Sequence, residues 1–233
     1  LGDVYKRQQL TNVTQIFQKS VAISYGKQSN MGTLQGINVA GQQANPMEEL
    51  AFQVSRRMAK IAQDIEYTFI NGKYAKATTD AEANQTRGLL TAITTNILDL
   101  AKKPLTYWLV AEGLKSIHDQ GAKTDNIVLG VDATTMLQLN LDAQQNNLTI
   151  VPLGREVNGI KLQTVVTPLG EVAVALFDTM PAGTAVLFDP SIMAPVHQMV
   201  PGKGNFFLEQ LAKTGAGETY QIFGQIGLDH GPE

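Results

Sequence analysis

Residues 45–72 of this chain read NPMEELAFQVSRRMAKIAQDIEYTFING, and they give its clearest structural indication. Their apolar residues recur at the three- and four-residue spacing of an amphipathic helix and form a stripe roughly 120° wide: Met47, Leu50, Ala51, Val54, Met58, Ile61, Ala62, Ile65 and Phe69. Asn45 is a good N-cap, Pro46 fits a first turn, and Asn71-Gly72 supplies a left-handed stop. We therefore predict one continuous helix over 46–70, roughly 37 Å long.

The segment before this helix combines a strand with a polar stretch. Four apolar residues alternate with polar ones and predict a half-buried strand over Val13–Tyr25: Phe17, Val21, Ile23 and Tyr25. Gly26–Gln43 is rich in Gly, Gln, Asn and Ser and has few apolar residues: Leu34, Ile37 and Val39. This stretch is either a flexible loop or an extended two-stranded arm that needs a partner surface, because an isolated two-stranded ribbon is only marginally stable in water.

The second half of the sequence predicts a mixture of helices and strands. A helix from Pro104 to Gln120, a buried strand over Asn126–Val131 and a helix capped by Asp132 indicate a small α/β unit. Strands follow, separated by tight turns at Asn158-Gly159, Thr167–Gly170 and Met180–Gly183. The last two strands, Phe206–Lys213 and Thr219–Leu228, form a closing hairpin. We therefore expect an α+β fold.

Composition limits the function. The net charge is −3 and no run of Lys or Arg occurs, which excludes specific nucleic-acid binding and leaves only weak, non-specific contact with DNA. The absence of cysteine excludes disulfides, thiolate metal sites and cysteine nucleophiles. No segment approaches the roughly 20 apolar residues that span a bilayer, so no membrane association is expected.

No motif in the sequence indicates catalysis. His118, His197 and His230 lack the spacing of a helical metal site. Gly202-Lys203-Gly204 lacks the Ser or Thr of a phosphate-binding loop, and there is no G-x-S-x-G nucleophile elbow. We expect no enzymatic activity, no catalytic residue, no cofactor and no metal.

The first eight residues, LGDVYKRQ, have no periodicity, and Leu1 is not an initiator. We expect Leu1–Gln8 to be a cloning or sequencing scar of the kind found at the ends of metagenomic reading frames, and the natural N-terminus to be missing.

The order of features resembles a family of tailed-bacteriophage major capsid proteins with the Hong Kong 97-type fold. In the N-terminal half, the resemblance rests on four features: Asn12-x-Thr14-Gln15-Ile16-Phe17 leading a strand, the polar arm, Asp64-Ile65-Glu66 near the end of the long helix, and the step Thr86-Arg87-Gly88-Leu89. The C-terminal half is consistent with it through the Met180-Pro181 turn, Val186-Leu187-Phe188-Asp189 and the closing hairpin at Thr214-Gly215.

This resemblance implies a domain organisation. Residues 1–12 would be the scar and a remnant of an N-terminal arm, and 13–45 a strand and the extended E-loop. A peripheral domain would take residues 46–104, with the spine helix at 46–70. Residues 105–205 would form an α/β axial domain, and 206–233 the closing strands of the peripheral domain.

The function implied is that of a major capsid protein, which self-assembles as pentamers and hexamers into an icosahedral shell around the genome. It would reside in the virion, and in the host cytoplasm during assembly, with a scaffolding protein and a portal as further partners. The subunit-interface candidates are the apolar residues of the strand and arm, together with Phe52, which lies off the helix's apolar stripe: Phe17, Val21, Ile23, Tyr25, Leu34, Ile37, Val39 and Phe52. Phe52 is alternatively a simple exposed aromatic. Lys27 lies in the arm, but nothing identifies a crosslinking acceptor for it.

The sequence leaves two alternatives open. One is an encapsulin-type nanocompartment shell protein of the same fold. The other is a small-ligand-binding α/β domain or enzyme, which a convergent polar pocket near Asn126–Asp132 would favour.

Overall fold

The computed structural model describes residues 11–29, 46–79, 81–101, 103–146, 151–157, 160–213 and 215–231. Contacts divide the chain into two compact units. The first comprises the described residues of Leu1–Phe69, Tyr74–Thr86 and Pro195–Leu228, and the second comprises those of Ile70–Lys73, Arg87–Ala194 and Asp229–Glu233. Each unit therefore draws on segments that are far apart in sequence.

The first unit is a sheet with a long helix packed on it. The sheet is formed by β1 (Gln15–Ser24), β7 (Ala194–His197), β8 (Phe206–Gln210) and β9 (Gly217–Asp229). Strand β9 is central: β1 pairs antiparallel along one side in ten consecutive pairs, from Gln15↔Ile226 to Ser24↔Gly217. Strands β7 and β8 pair with its other side. The predicted closing hairpin is confirmed by the antiparallel pairing of β8 with β9.

The predicted long helix is confirmed as α2 (Pro46–Asn71), which has 26 residues. Its Ile61 is only 2% exposed and packs with Phe17, Ile222 and Ile226 of the sheet. Val54, Ile65 and Phe69 pack around this cluster, because they lie on the same side of the helix as Ile61. The predicted N-cap, Asn45, lies outside the described residues.

The predicted stripe is wrong at several positions. Met58 is 41% exposed, and Ala51 and Ala62 are also exposed. The buried cluster lies against the second half of α2 around Ile61, whereas most side chains over 51–60 are exposed. Periodicity marks which face of a helix is apolar, but it does not say how far along the helix its partner extends.

The strand over Val13–Tyr25 is confirmed with a shorter end. Phe17, Val21 and Ile23 are buried, while Gln18, Ser20 and Ser24 are exposed. Tyr25 does not continue the strand, because it begins the short helix α1 (Tyr25–Ser29). An extended arm, one of the two alternatives for Gly26–Gln43, is therefore wrong over 26–29. The remainder of the expected arm, with Leu34, Ile37 and Val39, lies outside the described residues.

The second unit contains a five-stranded mixed sheet in the order β3-β4-β5-β2-β6. Its elements are α3 (Leu89–Ala92), α4 (Tyr107–Asp119), β2 (Val128–Val131), α5 (Ala133–Gln145), β3 (Val151–Val157), β4 (Ile160–Thr167), β5 (Gly170–Leu176) and β6 (Ala185–Phe188). Strands β2 and β5 are parallel, and the other neighbours are antiparallel. Val110 and Leu114 of α4 and Leu139 of α5 pack against the buried strand residues to form one core.

The N-terminus of α5 follows the sequence prediction. The Asp132 carboxylate accepts hydrogen bonds from the backbone N–H groups of Thr134 (3.1 Å) and Thr135 (3.3 Å) and from the Thr135 hydroxyl. Burial opposes ionisation of this carboxyl group, but these hydrogen bonds outweigh it, so the pKa of Asp132 is lowered. Asp132 is therefore an ionised N-cap that satisfies free donors of the first turn.

The contact-based division differs from the expected domain limits at 105 and 205, since it falls at Arg87 and after Ala194. Leu89 packs with Ile70, Met180 and Val186 in a second apolar cluster. This cluster explains why the segment that begins at Arg87 groups with the second unit.

We expect Ile61→Ala to lower the free energy of unfolding by roughly 2–5 kcal/mol, because it opens a cavity between α2 and the sheet. The control Gln63→Ala changes an exposed residue on the same helix and should have almost no effect. Urea unfolding of both variants measures the difference, and equal losses would contradict the packing described for α2.

We expect Asp132→Ala to lower the free energy of unfolding by about 0.5–2 kcal/mol, since it leaves first-turn donors of α5 without their cap. Asp125→Ala, at an exposed position in the same unit, is the control and should be nearly silent. Because the pKa of Asp132 is lower in the folded state, its ionised carboxylate stabilises the wild type at pH values above the unfolded-state pKa. This stabilisation disappears as the pH falls through the folded-state pKa. Unfolding curves recorded from pH 7 down to pH 3 test this.

Candidate assembly surfaces

The described residues contain no group of three or more His, Asp or Glu side chains placed to hold a metal ion. None of the described helices has the length and hydropathy needed to cross a membrane. The surfaces that stand out are apolar ones, so the candidate site is a set of contact surfaces.

Three of the predicted interface residues belong to the chain's own core. Phe17, Val21 and Ile23 are all buried, and Phe17 packs against Ile61 and Ile222. This corrects their assignment as interface residues, because buried side chains leave almost no surface for a neighbouring subunit. Alternation along a strand identifies a buried face but not the identity of what covers it.

The other two described candidates are more accessible. Tyr25 is half-buried, and the Lys213 ammonium lies 4.8 Å from the centre of its ring. Phe52 is exposed, as predicted, and the Arg56 guanidinium lies 5.6 Å from its ring centre. Phe52 therefore adds to the exposed apolar residues of the first half of α2, which also include Met58.

Helix α5 presents a surface that the sequence reasoning missed. Leu137 and Leu141 are 65% and 57% exposed, and they lie one turn apart on the same face. The only charged residue of α5 is Asp142, whose carboxylate accepts a hydrogen bond from the backbone N–H of Tyr107 (2.8 Å). The exposed face of α5 thus lacks charge, which is typical of the centre of a protein interface.

The N-terminus of α4 lies next to α5, because Tyr107 contacts Asp142. The Tyr107 hydroxyl donates to the carbonyl of Val166 (2.7 Å), while its backbone N–H contacts Asp142. The next residue, Trp108, is 74% exposed. Tryptophan is enriched among residues that dominate binding energy. We define the α5 surface as Leu137, Leu141 and Trp108.

An open groove runs between β1 and α2 in the first unit. It is lined by Gln15–Lys19 of β1 and by four residues of α2: Ile61, Asp64, Tyr67 and Thr68. The Lys19 ammonium contacts the Asp64 carboxylate at 2.8 Å, and Lys60 contacts the same group at 3.3 Å. The hydrogen bond from Lys19 is the main cause that lowers the pKa of Asp64. The charged groups at this groove are therefore paired with one another.

Comparisons with known proteins place these surfaces in context. A family model described as SU10 major capsid protein matches residues 2–233. A search of curated proteins finds no significant match.

Two solved structures share the fold at low sequence identity. The holo-SrpI encapsulin complex from Synechococcus elongatus PCC 7942 has a TM-score of 0.63 and 10% identity, and the match covers 93% of this chain and 70% of that chain. The putative capsid protein of a prophage of E. coli CFT073 has a TM-score of 0.53 and 11% identity, with 94% and 74% covered. At such identities the likeness concerns the fold alone.

We expect Asp64→Asn to lower the free energy of unfolding at pH 7 by up to about 1 kcal/mol, a modest amount because the ion pair is partly exposed. The lowered pKa means that the ionised carboxylate stabilises the fold above the unfolded value near 3.8. The difference from wild type should therefore vanish as the pH falls through the folded pKa. Denaturant unfolding at several pH values measures it, and Glu112→Gln, at an exposed carboxylate, is the control. A difference that persists at low pH would contradict the role of the charge.

Proposed function

This chain belongs to the SU10 major capsid protein family and is a phage major capsid protein, and we propose that its copies assemble into the icosahedral shell of a tailed bacteriophage. The observation that carries the proposal is the family match, which extends from residue 2 to residue 233. The fold shared with a prophage capsid protein supports it. In this proposal the chain is a structural component of the virion without catalytic activity.

The shell fold we propose is of the Hong Kong 97 type. In this proposal α2 is the spine helix, the first unit is the peripheral domain and the second unit is the axial domain. Two observations support it: α2 has 26 residues, and the chain returns at its end to pair β9 with β1. The strand and E-loop over 13–45 belong to the same proposal, with the boundary between the two domains at the limits of the two units instead of at 105 and 205.

Assembly requires surfaces that many identical copies can repeat. Cyclic repetition of one head-to-tail contact produces rings, which supports pentamers and hexamers as building blocks. The α5 surface meets this need, because an uncharged apolar face brings no like-charge repulsion when copies meet. The exposed Phe52 and Met58 of α2 add apolar contact area. A scaffolding protein and a portal are further partners in the proposal.

Packaged DNA would be a weak partner. The net charge of −3 gives no general attraction for phosphate. Confinement of the genome would then follow from the closed shell and not from affinity for nucleic acid. We propose the host cytoplasm as the place of assembly.

The encapsulin alternative has one specific observation in its favour, the TM-score of 0.63 to the SrpI encapsulin. That likeness shows the fold alone, whereas the family match distinguishes phage capsid proteins from others that share the fold. The gene neighbourhood separates the two functions. Portal and terminase genes support the phage capsid, and an enzyme gene with a cargo tag would replace it by a nanocompartment.

We expect the full-length protein to form rings or closed shells in electron micrographs, and Leu141→Glu to reduce their yield at least about tenfold, because it buries an unpaired charge in a contact. Ser116→Glu adds the same charge at an exposed position of α4 and should assemble like wild type. Thermal unfolding of the subunits checks that both variants fold.

Two results would contradict this. Normal shells from Leu141→Glu would remove the α5 surface from the assembly contacts. A wild-type protein that never oligomerises, yet tightly binds a small molecule, would replace the shell proposal with a ligand-binding function.

A further inference from the structure

Strands β1 and β9 lie near opposite ends of the described chain, so no tight turn between them aligns their residues. Register between strands is normally fixed by turn geometry and by the apolar pattern of the buried face. A shift of β1 by one residue would turn its apolar side chains outward. A shift by two residues would keep them on the same face, so the alternation does not exclude it. Another feature must select the observed alignment.

Two glycines of β9 lie against the backbone of β1, one at each end of the pairing. A Cβ atom at Gly217 would come within 2.7 Å of the Ile23 carbonyl oxygen. A Cβ atom at Gly227 would lie 3.0 Å from the Val13 carbonyl oxygen and 3.1 Å from the Thr14 Cα. Backbone atoms cannot turn aside as the end of a flexible side chain can. Glycine at both positions therefore allows the two strands to approach this closely.

A shift by two residues would place side chains where glycine now lies. Continuing the observed register by one residue places Thr14 opposite Gly227. Moving β1 by two residues in either direction would place Thr14 opposite Gln225 or Asp229 instead. Either side chain would then have to fit where the β1 backbone leaves no room for a Cβ atom. Gly227 thus favours the observed alignment over both shifted ones.

A buried threonine from outside the sheet holds the same end of β1. Thr86 is fully buried, and its backbone N–H donates to the Gln15 side-chain oxygen (3.3 Å). The Thr86 hydroxyl accepts from the backbone N–H of Leu228 in β9 (3.2 Å). A two-residue shift would move Gln15 by about 7 Å, which is beyond hydrogen-bonding reach of Thr86. Thr86 therefore relates one residue of β1 to one residue of β9.

We propose that Gly217, Gly227 and the hydrogen bonds of Thr86 form a register lock, which admits one alignment of β1 on β9. Its consequence for assembly rests on the proposed shell. Strand β1 leads directly into α1, so a two-residue shift would displace α1 by about 7 Å. Repeated contacts between identical copies require every copy to present the same surface. The lock gives every subunit the same geometry at this point.

The test measures register with introduced cysteines, since the chain has none of its own. Ser20 lies opposite Gln221, and a two-residue shift in one direction places it opposite Thr219. Ser20→Cys, Thr219→Cys and Gln221→Cys in one chain let position 20 form a disulfide with either partner in a glutathione buffer. We expect the 20–221 disulfide to exceed the 20–219 disulfide at least about tenfold, because diagonal neighbours are too far apart for a disulfide. Peptide mapping of dissociated subunits by mass spectrometry gives the ratio.

Two variants of this three-cysteine chain weaken the lock, each with a matched control. Gln15→Met removes the acceptor of the Thr86 N–H and should lower the ratio about tenfold, since the observed register no longer satisfies that buried donor. Gln18→Met makes the same change at an exposed position of β1 and should stay within about twofold. Gly227→Ala should also lower the ratio. Gly215→Ala should not, because no atom lies within 4 Å of the added Cβ.

Amide exchange on the wild-type protein gives a second measurement that needs no variant. The Thr86 amide is buried and bonded to Gln15. We expect it to exchange within about tenfold of the rate of the Ile222 amide at the centre of the sheet, because both should open only with the whole unit.

The outcomes separate the lock from the shell. Equal amounts of the two disulfides without further substitution, ratios in Gln15→Met and Gly227→Ala that match their controls, or a rapidly exchanging Thr86 amide would overturn the lock. An effect of only one variant removes the other residue from it. Because the ratio is measured on dissociated subunits, a wild type that never assembles overturns the shell proposal and leaves the lock standing. Shells of Gly227→Ala that contain as much 20–219 disulfide as the free subunits would overturn the consequence for assembly.

Discussion

The pairing of β1 with β9 is the contact on which the first unit depends. It joins Gln15 to Ile226, so the strand nearest the start of the described chain completes a sheet whose centre is formed near the end. Phe17, Ile222 and Ile226 then create the apolar face on which Ile61 packs. The fully buried Thr86 adds a third segment, because its N–H donates to the Gln15 side chain (3.3 Å) and its hydroxyl accepts from the N–H of Leu228 (3.2 Å). Contacts between residues this far apart in sequence carry an entropic cost of loop closure. Only the cooperative packing of a core offsets this cost.

Local sequence was sufficient where the controlling interaction is local. The cap at Asp132, the helical span of α2 and the alternation in β1 were predicted correctly, because each depends on residues within a few positions. Local sequence was insufficient where the surroundings of a side chain depend on residues far away in the chain. The same pattern that makes Phe17 and Ile23 apolar would suit either the chain's own core or an interface, and only the pairing with β9 decides between them. Met58 was wrongly assigned to the apolar stripe that packs against the rest of the unit. The reason is the same, because no nearby residue shows where along α2 that packing ends.

The α5 surface illustrates a different limit. Its helix reads ATTMLQLNLDAQQ, in which apolar residues occur on more than one face. Such a sequence predicts a helix but does not rank its faces, so Leu139 in the core and Leu137 on the surface look equivalent. The useful signal is the scarcity of charge, because a solvent-facing helix ordinarily carries several charged residues. The sequence alone would place the charged Asp142 side chain in solvent on that face. Its carboxylate instead accepts a hydrogen bond from the backbone N–H of Tyr107.

A subunit built this way separates folding from association. Its buried apolar clusters pack within each unit, so the α5 surface contributes little to the stability of one copy. This surface offers only a few exposed side chains, so a single contact through it is weak. Weak contacts allow wrongly placed copies to leave, whereas a closed shell engages every copy through several contacts at once and holds it by their sum.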